Sequence, residues 1–100
     1  MTTNAHYLNR LPGWSPAQAS IIAVTENVVL TPAHVEVLDV ARVFYDLYGF
    51  SPSMRPLCKT VAASLGVERG RSIVLNQLFP GSPARLIAKL AGLPKPKNCL

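Results

Sequence analysis

The residue with the clearest chemical potential is Cys99, the penultimate residue of a 100-residue chain. It ends a segment that alternates prolines and lysines, Leu93-Pro94-Lys95-Pro96-Lys97-Asn98. Prolines stop a helix and favour an extended, semi-rigid backbone, so the stretch from Pro94 to Cys99 can span roughly 15–20 Å at about 3.3 Å per residue. The lysines favour the thiolate, although solvent screening keeps that effect modest. A thiolate is a nucleophile that can accept sulfane sulfur and become a persulfide.

The same residues also fit an exposed thiol without a role. Chain ends are commonly poorly ordered, and from the chemistry alone this plainer interpretation is the preferred one. The second cysteine, Cys58, falls on the apolar stripe of a predicted helix, where free cysteine behaves as a small hydrophobe, so we do not expect it to be reactive. A Cys58–Cys99 disulfide stays open, because the direction of the arm cannot be read from the sequence.

The sequence does not contain the residue patterns of a metal site, a catalytic triad or a phosphate-binding loop. The two histidines, His6 and His34, belong to no Cys/His cluster with metal-ligand spacing, so no metal site is predicted. His34 is expected only to pack or to contact a helix end. The sequence contains no nucleophile–base–acid set and no glycine-rich phosphate loop, so we expect no cofactor and no conventional stand-alone enzyme site.

The composition describes one small domain. Hydrophobic residues make up 49% and charged residues 15%, which excludes an intrinsically disordered chain. No apolar run approaches the ~20 residues of a membrane span, and two cysteines without a signal peptide argue against a disulfide-stapled secreted domain, so we expect a cytoplasmic protein. The net charge of +5 suits an acidic partner or nucleic acid, without choosing between them.

Ser/Thr-Pro pairs mark the predicted helix starts, because Ser or Thr can cap a helix N-terminus and proline loses nothing at the first helical position. The pairs are Ser15-Pro16, Thr31-Pro32, Ser51-Pro52 and Ser82-Pro83. Gln18 can complete a capping box with Ser15. Glycines that follow apolar-periodic stretches mark helix ends. We predict helices over residues 16–25, 32–47, 52–65, 71–78 and 83–91.

The predicted helices have apolar faces that need partners. In the second helix the face contains Val35, Leu38, Val40, Val43 and Leu47, with Glu36, Asp39, Arg42 and Asp46 mostly opposite. In the third it contains Met54, Leu57, Cys58, Val61, Ala62 and Leu65. Neither helix can bury its stripe alone, so we predict one mostly α domain, a compact helical bundle with short connections.

Two segments near the C-terminus resemble the signature of the DsrC/TusE family of sulfur-relay proteins. They are Leu78-Phe79-Pro80-Gly81-Ser82-Pro83-Ala84 and Ala91-Gly92-Leu93-Pro94-Lys95-Pro96 with the penultimate Cys99. Further matches in order and spacing are Trp14, Leu30-Thr31-Pro32-Ala33-His34, Phe44-Tyr45, and Ser51-Pro52 with Arg55, Leu57 and Lys59. The resemblance covers about residues 14–100 and favours a functional Cys99 over an idle one.

The resemblance implies an orthogonal bundle of about five helices with an extended C-terminal arm. The short N-terminus predicts that the family's β-hairpin is reduced or absent. The single domain, residues 1–100, then divides into an N-terminal segment (1–13), a helical body (14–92) and an arm (93–100). Members of the DsrC type carry a second cysteine at the position of Ala88, so an intramolecular redox cycle between two such cysteines is not available here.

The resemblance also implies that Cys99 carries sulfur as a persulfide. The donor would be a TusBCD- or DsrEFH-like complex, and the acceptor would serve tRNA 2-thiouridine synthesis or, with a sulfite-reductase- or heterodisulfide-reductase-like complex, dissimilatory sulfur metabolism. Such a protein is a sulfurtransferase-type carrier, a protein co-substrate and not a stand-alone enzyme. Basic residues that could dock an acidic partner are Lys95, Lys97, Arg55, Lys59, Arg71 and Arg85; each could equally be ordinary solvated charge.

Two alternative functions remain open. Helix 32–47, the turn at Tyr48-Gly49-Phe50 and helix 52–65 have the outline of a helix-turn-helix, so a nucleic-acid-binding regulator is the first alternative. The segment Ile73 to Gln77 departs from the basic and aromatic pattern that the family usually has there. That departure motivates the second alternative, a transfer-inactive paralogue that acts as a scaffold.

Overall fold

The computed structural model describes residues 14–97, which form a bundle of five α-helices. They are α1 (Pro16–Thr25), α2 (Pro32–Tyr48), α3 (Met54–Leu65), α4 (Ser72–Leu78) and α5 (Pro83–Leu90), with a 3₁₀ turn at Glu68–Gly70. These described residues contain no strand, which confirms the predicted mostly α fold. Residues 1–13, for which a reduced or absent hairpin is predicted, and residues 98–100, which include Cys99, lie outside the described residues.

Three of the four Ser/Thr-Pro pairs begin helices as predicted. At α1 the Ser15 hydroxyl accepts a hydrogen bond from the Gln18 amide at 3.1 Å. The prediction at Ser51 is wrong by two residues, because α3 begins at Met54 with Ser53 at the N-cap position. The Ser51 hydroxyl instead donates a hydrogen bond to the Pro94 carbonyl in the arm, so this pair serves tertiary structure rather than a helix end.

The short helix α5 lies at the centre of the bundle and contacts all four other helices. Its inward face is made of Ala84, Ile87, Ala88 and Leu90, all of them buried. The two alanines on this face have small side chains that allow neighbouring helices to approach closely. Since α5 runs directly into the arm, the place where the arm begins is held by the core of the protein.

The buried face of α2 differs from the predicted one: Val37, Ala41 and Phe44 are buried beside Leu38 and Val40, and Leu47 and Arg42 do not lie where they were expected. Leu47 is 67% exposed, and Phe50 packs edge-on against the buried Phe44 with ring centroids 5.4 Å apart, so Phe50 covers the end of the stripe. Arg42 was expected opposite the stripe but is only 2% exposed. A buried guanidinium requires hydrogen-bond acceptors, and Arg42 finds one at the end of α5.

The stripe predicted for α3 is confirmed. Leu57 and Val61 are fully buried, while Met54, Cys58 and Leu65 are partly buried and pack against the core. The 3₁₀ turn approaches this helix so closely at Gly70 that a Cβ there would lie 2.6 Å from the Ala62 Cβ. Only glycine fits this contact without a shift of the backbone.

Candidate functional site: the base of the C-terminal arm

The arm begins at a tight turn that closes the end of α5. Gly92 has a φ of 73°, the left-handed conformation that glycine adopts without strain. The Leu93 amide donates to the Ala88 carbonyl at 2.8 Å, and the Gly92 amide donates to the Lys89 carbonyl at 3.3 Å. This pair of bonds is a Schellman motif, which reverses the chain direction at a helix end. The turn therefore sets the direction in which the arm leaves the bundle.

Two side chains from distant parts of the chain bind the last carbonyls of α5. The Trp14 indole N–H donates to the Leu90 carbonyl at 2.7 Å, and Arg42 donates to the Ala91 carbonyl. The Arg42 guanidinium also lies over the Trp14 ring, 4.2 Å from its centroid, a cation–π contact. A positive charge at a helix C-terminus is favourable because it opposes the helix dipole. We call Trp14, Arg42 and these two carbonyls the clasp.

Beyond the turn, the first part of the arm lies against the bundle. Leu93 and Pro96 are buried, and the Pro94 carbonyl accepts the hydrogen bond from Ser51. Lys95 and Lys97 alternate with these contacts and are exposed. The arm is thus anchored through Pro96, and its positive charges face solvent.

A second connection fixes the loop between α4 and α5. His34 Nδ1 accepts from the Thr31 amide at 3.2 Å, which assigns the ring proton to Nε2. Nε2 then donates to the Leu78 carbonyl at 2.8 Å. The fully buried Phe79 ring meets the His34 ring edge-on at 5.0 Å. His34 therefore packs and contacts a helix end, as the sequence predicts, and it also holds the loop that leads into α5.

An open groove of about 520 Å³ lies beside the arm. Its apolar lining consists of Pro80, Leu86 and Leu93, and its charged lining consists of Glu26, Arg85, Lys89 and Lys95. Lys89 forms an ion pair with Glu26. Among residues 14–97, no ion pair involves Arg85 or Lys95, so the groove carries an excess of positive charge.

The predicted docking residues separate into two groups in the structure. Lys95 and Arg85 line the groove, and Lys97 is exposed at the end of the described arm. Arg55 and Lys59 are exposed on α3 and do not line the groove. Arg71 forms an exposed ion pair with Glu68 at 2.9 Å. The α2–turn–α3 segment keeps the order of a helix-turn-helix, and nucleic-acid binding by it stays a prediction.

Two titratable groups of the body have shifted pKa values. Burial raises the pKa of the Cys58 thiol, which keeps it protonated and poorly nucleophilic. Burial also raises the pKa of Asp39; the positive charge of Arg42 opposes this shift and the negative charge of Glu36 adds to it. Within the described part of the chain, no three His, Cys, Asp or Glu side chains gather as a metal site.

The residues that anchor the arm were not identified as a group from the sequence. Ser51 has the local pattern of a helix cap, and Arg42 has the spacing of a solvated charge opposite the apolar stripe of its helix. In the sequence, Trp14 stands out only by its place before the first helix. The only feature of the sequence that points to these three residues is that each is a hydrogen-bond donor near an apolar segment. A hydrogen bond from a side chain to a backbone carbonyl far along the chain leaves no local sequence pattern.

Comparison with known proteins identifies the family to which this chain belongs. The family model described as "DsrC like protein" matches residues 1–100. The chain belongs to this DsrC-like family. It is 46% identical to the sulfurtransferase TusE of Sodalis glossinidius over 94% of this chain and 87% of that protein. It is also 46% identical to the sulfurtransferase TusE homolog of Haemophilus influenzae, over 94% of this chain and 86% of that protein.

A solved structure of the DsrC-like family agrees with the fold. The NMR structure of Allochromatium vinosum DsrC superimposes with a TM-score of 0.80 at 38% identity, covering 92% of this chain and 82% of that one. This confirms the family predicted from the two C-terminal signature segments. In residues 14–97, no helix has both the length and the apolar character needed to cross a membrane.

Proposed function

We propose that this DsrC-like protein is a sulfur carrier that receives sulfane sulfur as a persulfide on Cys99 and delivers it to a partner protein. The observation that carries the proposal is the anchored arm. Its base is bound at Leu90, Ala91 and Pro94, while Lys95 and Lys97 face solvent. The described part of the arm therefore has a defined place on the protein up to Lys97. The TusE-type sulfurtransferases to which the chain is similar support the same role.

The transfer needs no external oxidant or reductant. The Cys99 thiolate attacks the terminal sulfur of a donor persulfide, a Cys99 Sγ–S bond forms, the donor's S–S bond breaks, and the donor leaves as a thiolate. In the second step, a nucleophile of the acceptor attacks the same terminal sulfur and the Cys99 thiolate leaves. The sulfane sulfur keeps its oxidation state throughout. Lys95 and Lys97 favour the Cys99 thiolate both when it attacks the donor and when it leaves in the second step. The effect is modest because solvent screens their charges.

The other cysteine is poorly suited to carry sulfur. Cys58 lies in α3 against the core, and burial raises its thiol pKa, so the attacking thiolate is scarce. The core of α5 holds the buried Ala88, the position at which DsrC-type members have their second cysteine. Cys99 therefore has no thiol partner on α5, and we propose a single-cysteine carrier in place of a two-cysteine redox cycle.

The proposed setting is the cytoplasm, with a TusBCD- or DsrEFH-like complex as the donor. The acceptor would belong either to tRNA 2-thiouridine synthesis or to sulfur energy metabolism. The single-cysteine arrangement favours the first, because the chain has Ala88 at the position where DsrC-type members carry the second cysteine of their redox pair. The carrier acts as a protein co-substrate and is loaded and unloaded by visiting proteins.

Intact mass spectrometry after incubation with a persulfide donor tests the proposal. The wild-type protein should gain the mass of one sulfur atom, and dithiothreitol should remove it. The Cys58→Ser variant should load like the wild type, and the Cys99→Ser variant should not load. Loading that survives Cys99→Ser, or a wild type that never gains sulfur, would remove Cys99 from the role of carrier.

A further inference from the structure

The groove beside the arm has the properties of a protein-docking site. Its volume of about 520 Å³ lies within the range of sites that accept a ligand or a few side chains. Leu93 and Lys95 belong both to the groove and to the arm. The groove therefore adjoins the segment that leads to Cys99 along the chain.

We propose that this groove binds an acidic segment of the protein that loads Cys99, with a carboxylate at Arg85 and Lys95 and an apolar side chain on Leu86 and Leu93. The inference rests on the proposed carrier function and adds the chemistry of the partner. It also selects among the basic residues of the chain, because Arg55 and Lys59 lie outside the groove.

Charge complementarity identifies the occupant. Lys89 is already neutralised by Glu26, which leaves Arg85 and Lys95 as the groove's positive charges without an ion-pair partner among residues 14–97. An arginine on a rigid helix presents a planar fork that matches a carboxylate. Arg85 is exposed and lies in the first turns of α5, the helix that the core holds in place.

The groove fits an acidic protein better than a nucleic acid. A phosphate backbone needs a row of positive charges, whereas this groove contains the Glu26 carboxylate and three apolar residues. A protein interface usually combines an apolar centre with a polar rim, and the groove's lining includes both apolar and charged residues. We therefore assign the groove to a protein segment.

The test compares two charge reversals that change the net charge equally. Arg85→Glu alters the groove, and Arg55→Glu is the matched control on α3, where the arginine is also exposed. Each variant is loaded by two donors, a small-molecule persulfide and a purified TusBCD-type donor complex in its persulfide form. A glutamate in the first turns of α5 is compatible with the helix dipole, so the Arg85→Glu variant should fold.

We expect Arg85→Glu to slow loading by the donor complex about tenfold and to leave loading by the small persulfide unchanged. Arg55→Glu should load from both donors at rates within about twofold of wild type. In a Cys99→Ser background, which cannot exchange sulfur, Arg85→Glu should weaken binding to the donor complex by a similar factor. Rising salt should slow the wild type with the donor complex and should affect Arg85→Glu less.

Three results would overturn the docking assignment. They are equal slowing by both charge reversals, no slowing by Arg85→Glu, and loss of tRNA binding by Arg85→Glu while loading by the donor complex stays normal. Each of these leaves the carrier function intact, because the small persulfide still loads Cys99. Failure of the wild type to load from either donor would instead contradict the carrier function itself.

Discussion

The contact between Gly92 and Trp14 gives a sharp test of how the arm base is built. A Cβ added at Gly92 would lie 2.7 Å from Trp14 Cδ1, closer than side-chain atoms normally approach. The indole cannot move away freely, because its N–H donates to the Leu90 carbonyl at 2.7 Å. Gly92→Ala should therefore lower the free energy of unfolding through two separate effects, backbone strain and steric overlap.

The two effects have different magnitudes. A non-glycine residue at a φ of 73° costs about 1 kcal/mol. The overlap with Trp14 should cost about 2 kcal/mol more, since relieving it weakens a hydrogen bond and disturbs packing. Gly49 provides the matched control, because its φ is 77° and a Cβ there meets nothing within 4 Å. We expect a loss of about 3 kcal/mol for Gly92→Ala and about 1 kcal/mol for Gly49→Ala.

Urea unfolding followed by far-UV circular dichroism measures these losses with and without the indole. In a Trp14→Ala background the overlap with the ring is absent and only the contact with the Cβ at position 14, at 3.2 Å, remains, so adding Gly92→Ala should cost little more than the backbone share, about 1 kcal/mol. The reasoning is refuted if Gly92→Ala is no more harmful than Gly49→Ala. It is equally refuted if the loss caused by Gly92→Ala is the same in both backgrounds.

Three further substitutions test neighbouring contacts. Arg42→Met removes a charged donor and the cation–π contact from the clasp, and should lower the free energy of unfolding by about 3 kcal/mol in urea titrations. Ser51→Ala removes the hydrogen bond to Pro94 and should loosen the arm by about 1 kcal/mol, seen as roughly fivefold faster trypsin cleavage after Lys97. Burial raises the pKa of Asp39, so the folded state holds this proton more tightly than the unfolded state does. The stability of the wild type should therefore fall as the pH rises above 3.8, the ordinary pKa of this group. The free energy of unfolding, measured against pH, should fall less steeply for Asp39→Asn.

The fold could be predicted from local signals, whereas the anchoring of the arm could not. Helix starts at Pro16, Pro32 and Pro83 follow from backbone chemistry within a few residues, and the sequence contains that information directly. Ser51 has the same local pattern but bonds to Pro94, which lies 43 positions further along the chain. A Ser-Pro pair has two ways to satisfy its hydroxyl, and only the tertiary fold decides between them.

Arg42 shows that the burial of a charged residue also cannot be predicted from its local sequence. Its spacing on α2 is typical of a solvated residue, yet it is buried against Trp14 and donates to the Ala91 carbonyl. The last carbonyls of any helix lack partners within the helix, so a buried helix end needs donors from elsewhere. Since α5 is the central helix and ends inside the protein, such donors were to be expected, although the sequence does not say which residues supply them.

The proposed carrier function sets two opposing requirements, and the described part of the arm meets the first of them. Under that proposal, partners have to find the Cys99 thiol in one place, which requires a fixed base, and several partners have to reach it. The hydrogen bonds at Leu90, Ala91 and Pro94 serve the first requirement without using any residue beyond Pro96. Because these contacts are made by backbone carbonyls, they do not use the side chains of Lys95 and Lys97. Lys95 and Lys97 are thereby left available for partners, which is why a charge change in the arm should alter partner exchange more than stability.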